Sequence, residues 1–69
     1  MIYVDKEEVD EDANVIVHIR IHSACCKEKF KVTYFPKSDT YLDHRTLQEP
    51  FQGMIASINL ARKAYKLCT

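Results

Sequence analysis

The sequence predicts an α+β domain, a small antiparallel β-meander of two or three strands packed on one C-terminal α-helix. Three observations predict it. Residues 14–35 hold two stretches in which apolar and polar residues alternate with the period of a strand. From Pro50 onward the apolar spacing becomes that of a helix. The chain has 69 residues, 46% of them hydrophobic, which is enough for one small core and one domain over 1–69. That domain divides into an acidic N-terminal segment with a short strand (1–13), a β-hairpin (14–35) and a helix (50–67). Sheet and helix each have an apolar side to bury, and each can cover the other.

The first element is "IYVD" at 2–5, short and β-prone. Around it lie Asp5, Glu7, Glu8, Asp10, Glu11 and Asp12, six acids against the single base Lys6, a net charge of −5 over residues 1–12. Such a block is either a solvated, mobile segment or a contact for a basic groove on a protein. If residues 2–7 pair beside 16–21, Asp5 and Glu7 share a face with Arg20, and Tyr3 stacks near its guanidinium.

"NVIVHIRIHS" at 14–23 is the clearest strand, with Val15, Val17, Ile19 and Ile21 on one face and Ile16, His18, Arg20 and His22 on the other. "KFKVTYF" at 29–35 alternates the same way, with Phe30, Val32 and Tyr34 opposed to Lys29, Lys31, Thr33 and Phe35. Pairing Ile21 with Phe30, Ile19 with Val32 and Val17 with Tyr34 puts both apolar sets on one side and makes "ACCK" the hairpin tip. In that register Arg20 faces Lys31 and His22 faces Lys29. Like charges across a ladder are unfavourable, so an anionic group belongs nearby.

Pro36 lacks the N–H a ladder needs and ends the second strand. Residues 37–48 read either as a short edge strand, with Tyr41, Asp43, Arg45 and Leu47 on one side, or as an irregular helical turn. Pro50 suits a first helical turn, and Arg62, Lys63 and Lys66 suit the negative end of the helix dipole. Phe51, Met54, Ile55, Ile58, Ala61, Tyr65 and Cys68 form the stripe expected to cover the sheet. Gly53, Ala56, Leu60, Ala64 and Leu67 lie on nearly the opposite side, and Gly53, Ser57, Leu60, Ala64 and Leu67 follow the 4-3-4-3 spacing of a short heptad seam with small residues. One sheet cannot bury both sides.

His18, His22, Cys25 and Cys26 crowd into nine residues and raise the question of a metal. Two histidines four residues apart on a regular strand stand roughly 13 Å apart, too far for one ion. His22, Cys25 and Cys26 then lack a fourth ligand close in sequence. No metal or other cofactor is expected, and a metal or thiol sensor stands third among the functional readings. At the tip, one cysteine is expected to face inward as a small hydrophobe and the other to cap the turn. The single glycine allows no phosphate-cradling loop, and no nucleophile elbow is present, so no enzyme is expected.

Net charge is zero but polarised, with +3 over 13–36, −1 over 37–50 and +3 over 51–69 beside the acidic start. That layout favours oriented contacts over general attraction to nucleic acid. The leading expectation is a small non-enzymatic regulatory protein that binds a protein partner. Its contacts would be Glu7, Glu8, Asp10, Glu11 and Asp12, the helix residues Leu60, Ala64 and Leu67, or both, and a homodimer through the helix is the simplest form of the second. The alternative is nucleic-acid binding through Arg20, Lys29 and Lys31 with the helix's C-terminal bases. In size and layout the chain resembles the small inhibitors that phages and mobile elements make against host nucleic-acid-handling proteins. This likeness is one of architecture and carries no diagnostic motif. No apolar run approaches the roughly 18 residues that span a bilayer, and no secretory signal opens the chain, so the expected setting is the reducing cytoplasm with free thiols.

Overall fold

A computed structural model describes residues 1–68. Four strands, β1 (Ile2–Val9), β2 (Val15–His22), β3 (Lys27–Phe35) and β4 (Thr40–Asp43), precede one helix, α1 (Gln52–Cys68). The strands form one antiparallel sheet in the order β1-β2-β3-β4, so the meander with a C-terminal helix is the fold. It has one strand more than the two or three expected. Residues 40–43 are an edge strand rather than a helical turn, and β1 runs on through the acidic residues to Val9.

The core comprises Val17, Ile19, Phe30, Val32, Tyr41 and Ile58, with Ile2, Val4, Val15, Ile21, Tyr34, Met54 and Ile55 packed around them. The β2 and β3 residues in this set lie on the face the alternation predicted. The pairing is nevertheless shifted by two residues from the expected register. Ile19 pairs with Phe30, Val17 with Val32 and Val15 with Tyr34. A two-residue slip leaves every side chain on its own face, so hydrophobic pattern cannot tell the two registers apart. The tip is therefore "SACC" and not "ACCK". Ser23 closes it: its N–H and hydroxyl both donate to the Cys26 carbonyl (2.9 and 3.2 Å), and its Oγ accepts from the Cys26 N–H (3.3 Å). Neither tip cysteine turns inward. Cys25 and Cys26 are both exposed, because Ser23 already supplies the cap.

Strand β1 carries a bulge. Ile2, Tyr3 and Val4 oppose Ile21, Arg20 and Ile19, then the register slips and Lys6 opposes His18, Glu7 opposes Val17 and Glu8 opposes Ile16. The extra residue is Asp5. It inverts the alternation beyond it, so Glu7 points to the helix side and not to the outer face where uninterrupted pairing would put it.

The remaining connections are closed by side chains. Asp10 Oδ1 accepts from the N–H groups of Asp12 and Asn14 (both 2.9 Å), and Ala13 takes a left-handed conformation (φ 66°) to complete the turn. Tyr34 donates its hydroxyl to Asp39 (2.7 Å) across the β3–β4 turn. After β4 the chain doubles back, with Asp43 N–H bonded to the Gln48 carbonyl. Helix α1 begins later than expected. The first intrahelical bond runs from Ile55 N–H to Phe51 O, which puts Phe51 at the cap and Pro50 just outside it. Phe51 accordingly does not cover the sheet and is 70% exposed.

Candidate functional site

The sheet has α1 on one face and, among the described residues, no covering element on the other. Its open face reads as cross-strand rows: His22 with Lys27; Tyr3, Arg20 and Lys29; Lys6, His18 and Lys31; then Glu8, Ile16, Thr33 and Leu42. Arg20 therefore lies opposite Lys29 and not Lys31, and His22 opposite Lys27 and not Lys29. Both changes follow from the two-residue shift. The anionic group expected near Arg20 is Asp5, whose Oδ1 accepts from Arg20 Nε at 3.1 Å, and the Arg20 guanidinium sits 4.8 Å from the centre of the Tyr3 ring. Lys27, Lys29 and Lys31 make no ion pair among the described residues.

The acids singled out in the sequence scatter. Glu7 accepts from Arg62 Nε at 2.9 Å beneath the helix, and both side chains are largely buried. Glu8 pairs with Lys6 (2.9 Å) and lies 3.5 Å from His18 Nε2; Lys6, then His18, hold its carboxyl below the usual range. Asp10 is spent inside its turn. Glu11 and Asp12 alone stand exposed at the β1–β2 turn without an ion pair among the described residues. Three of the six acids, Asp5, Glu7 and Glu8, thus serve as internal counter-charges, placed by strand formation and by the bulge.

Helix α1 divides as its spacing predicts except at Ser57, a residue of the expected seam that is half-buried, and at Phe51 and Cys68, the ends of the expected inner stripe, which are exposed. Ile58 is fully buried and Met54, Ile55, Ala61 and Tyr65 are half-buried, while Gly53, Ala56, Leu60, Ala64 and Leu67 face away from the sheet. Leu60 is 70% and Leu67 83% exposed. Lys63 and Lys66 flank them, and α1 contains no acidic residue. Cys68, expected in the inner stripe, is exposed.

Arg62 is the residue that sequence reasoning missed, having read it only as a helix-end base. Its guanidinium lies 4.7 Å from the centre of the Tyr34 ring and donates to Tyr41 Oη (3.0 Å) as well as to Glu7, and Tyr41 in turn donates to Asn59 (2.6 Å). Burial works against its charge, and Glu7 and Tyr41 more than restore it. Arg45 plays a parallel part at the other end of the face. It covers the Phe30 ring at 3.7 Å and pairs with Asp43 (2.9 Å) and Glu28 (2.7 Å). Asp43 belongs to this clamp. His44 bonds the Thr33 hydroxyl at 2.7 Å.

At the tip, Cys25 and Cys26 have their sulfurs 3.7 Å apart, and hydrogen bonds from Cys26 and then Ser23 lower the Cys25 thiol pKa. Among the described residues no group of three or more His, Cys, Asp or Glu side chains is placed to hold a metal. No helix among them is long and apolar enough to cross a membrane. Compared with known proteins, the chain matches no family model, no curated protein and no solved structure significantly.

Proposed function

We propose that this chain is a small non-enzymatic regulatory protein that binds a protein partner through the outer face of α1. One observation carries the reading: Ile58 is completely buried while Leu60 and Leu67, around the same helix, are left almost wholly to solvent. Small residues at Ala56 and Ala64 allow another helix to approach closely beside those leucines. The flanking lysines select the partner's chemistry. A helix with an apolar stripe bordered by acids complements Lys63 and Lys66, whereas a parallel second copy brings the lysines of both copies together. Of the two contact regions foreseen, the internal pairing of Glu7, Glu8 and Asp10 favours the helix over the acidic segment. An inhibitor of a host nucleic-acid-handling protein, carried by a phage or mobile element and acting in the reducing cytoplasm, is the specific form of this proposal.

A photo-crosslinking residue at Ala64 would identify the protein held against this face in the native host. The purified partner should then bind the wild-type chain and lose at least about tenfold in affinity to Leu60→Glu/Leu67→Glu. The Lys29→Gln/Lys31→Gln variant should bind it unchanged. A doubled solution mass abolished by Leu60→Glu/Leu67→Glu would replace the foreign partner with a second copy. Undiminished binding by the leucine variant would end the helix reading.

A further inference from the structure

The open sheet face contains a cavity of about 480 Å³ lined by Asp5, Lys6, His18, Ile19, Lys29, Phe30 and Lys31. Ile19 and Phe30 turn their side chains to the core, so they offer the cavity mainly backbone, and charged groups form its walls. Lys6, His18 and Lys31 make one row across three strands, and Lys29 stands two residues from Lys31 on the same face, roughly 7 Å along the strand.

The charges in this cavity do not balance. Among the described residues that line it Asp5 is the one acid, and Asp5 is held by Arg20. Lys6 is paired to Glu8 at 2.9 Å, but Lys29 and Lys31 have no ion pair among the described residues. His18 Nε2 is buried and faces Glu8 Oε2 at 3.5 Å, so its own counter-charge is Glu8. A set of like charges on neighbouring strands is costly. A ligand with several anionic oxygens would relieve it.

We propose that this cavity binds a small phosphorylated molecule, with phosphate oxygens accepting from Lys29 and Lys31. Phosphate matches the need because it brings up to two negative charges and three strong acceptors on one centre. The volume falls within the several hundred cubic ångströms of small-molecule sites. A nucleic-acid strand fits less well. Asp5 lines the cavity, and Glu8 borders it in the next row, where a continuous phosphate backbone would pass. The site is separate from the outer face of α1 and stands or falls independently of the proposed partner.

Amide-resolved NMR titration with pyrophosphate, with a nucleoside triphosphate and with a single-stranded oligonucleotide tests the inference. Either small phosphate should produce saturable shifts centred on Lys6, His18, Lys29 and Lys31. Lys29→Gln/Lys31→Gln should weaken binding at least about tenfold, and Lys63→Gln/Lys66→Gln should leave it unchanged. These are exposed side chains, and the spectra themselves verify folding. Absence of saturation, equal weakening by both double variants, or saturation by the oligonucleotide alone would each overturn the site.

Discussion

Glu7 and Arg62 meet across 55 residues of sequence, with Arg62 Nε 2.9 Å from Glu7 Oε2. The pair ties the N-terminal edge strand to the C-terminal helix. Either charge left alone would be largely removed from water without its counter-ion. Glu7→Ala should therefore destabilise the domain by about 2–3 kcal/mol, at the low side of a buried pair because both side chains keep some contact with water. In a domain of this size that is most of the stability. Glu7→Leu with Arg62→Met should recover most of the loss in urea denaturation. Equal stability of wild type and Glu7→Ala would show the pair to be inconsequential.

The bulge makes a prediction about length. Removing Asp5 deletes the residue that interrupts pairing and leaves Val4, Glu7 and Val9 on the core side, so this deletion inside a strand should be tolerated. The expected cost is about 1 kcal/mol, chiefly the lost contact with Arg20. Denaturation and an amide spectrum check it. Loss of cooperative unfolding would mean that the twist imposed by the bulge is itself required.

Asp43 links stability to acid. Hydrogen bonds from Arg45 hold its carboxyl below the usual range despite burial. Its native pKa is depressed, so the unfolded chain binds the proton first. The contribution is complete above the unfolded value of about 3.9 and is lost as pH falls through the lower, native value. Asp43→Asn should reduce neutral-pH stability by about 1–2 kcal/mol and flatten the acid limb of the stability profile. An unchanged acid limb would detach Asp43 from that titration.

Ala13 occupies a left-handed conformation that glycine adopts without steric cost. Ala13→Gly should raise stability by up to about 1 kcal/mol, a gain reduced by the greater freedom of glycine in the unfolded chain. Thermal unfolding reads the sign, and a lower midpoint would contradict it.

All three cysteines are exposed, so a native-state thiol assay should label three groups without denaturant. Cys25 should react fastest near neutral pH, because the hydrogen bonds from Cys26 and Ser23 favour its thiolate. Ser23→Ala should slow it. Peptide mapping of partly labelled protein would sink the idea if Cys68 led.

Which residues face the core was legible in the chain because local periodicity alone specifies a face. Val15, Val17, Ile19 and Ile21 alternate, Ile58 and Leu60 lie on different sides of a helix, and no distant contact is needed to know it. Tertiary structure decided everything that depends on pairing. The hairpin register could slip by two residues without exposing one core side chain, so Ser23 and the tip geometry had to settle it. The bulge at Asp5 left no mark in the hydrophobic pattern, yet it sends Glu7 inward to Arg62 and Lys6 outward to the cavity. Acids that read as one block in sequence became separate counter-ions for that reason. Charges act through space, and their partners are known only once the strands are aligned.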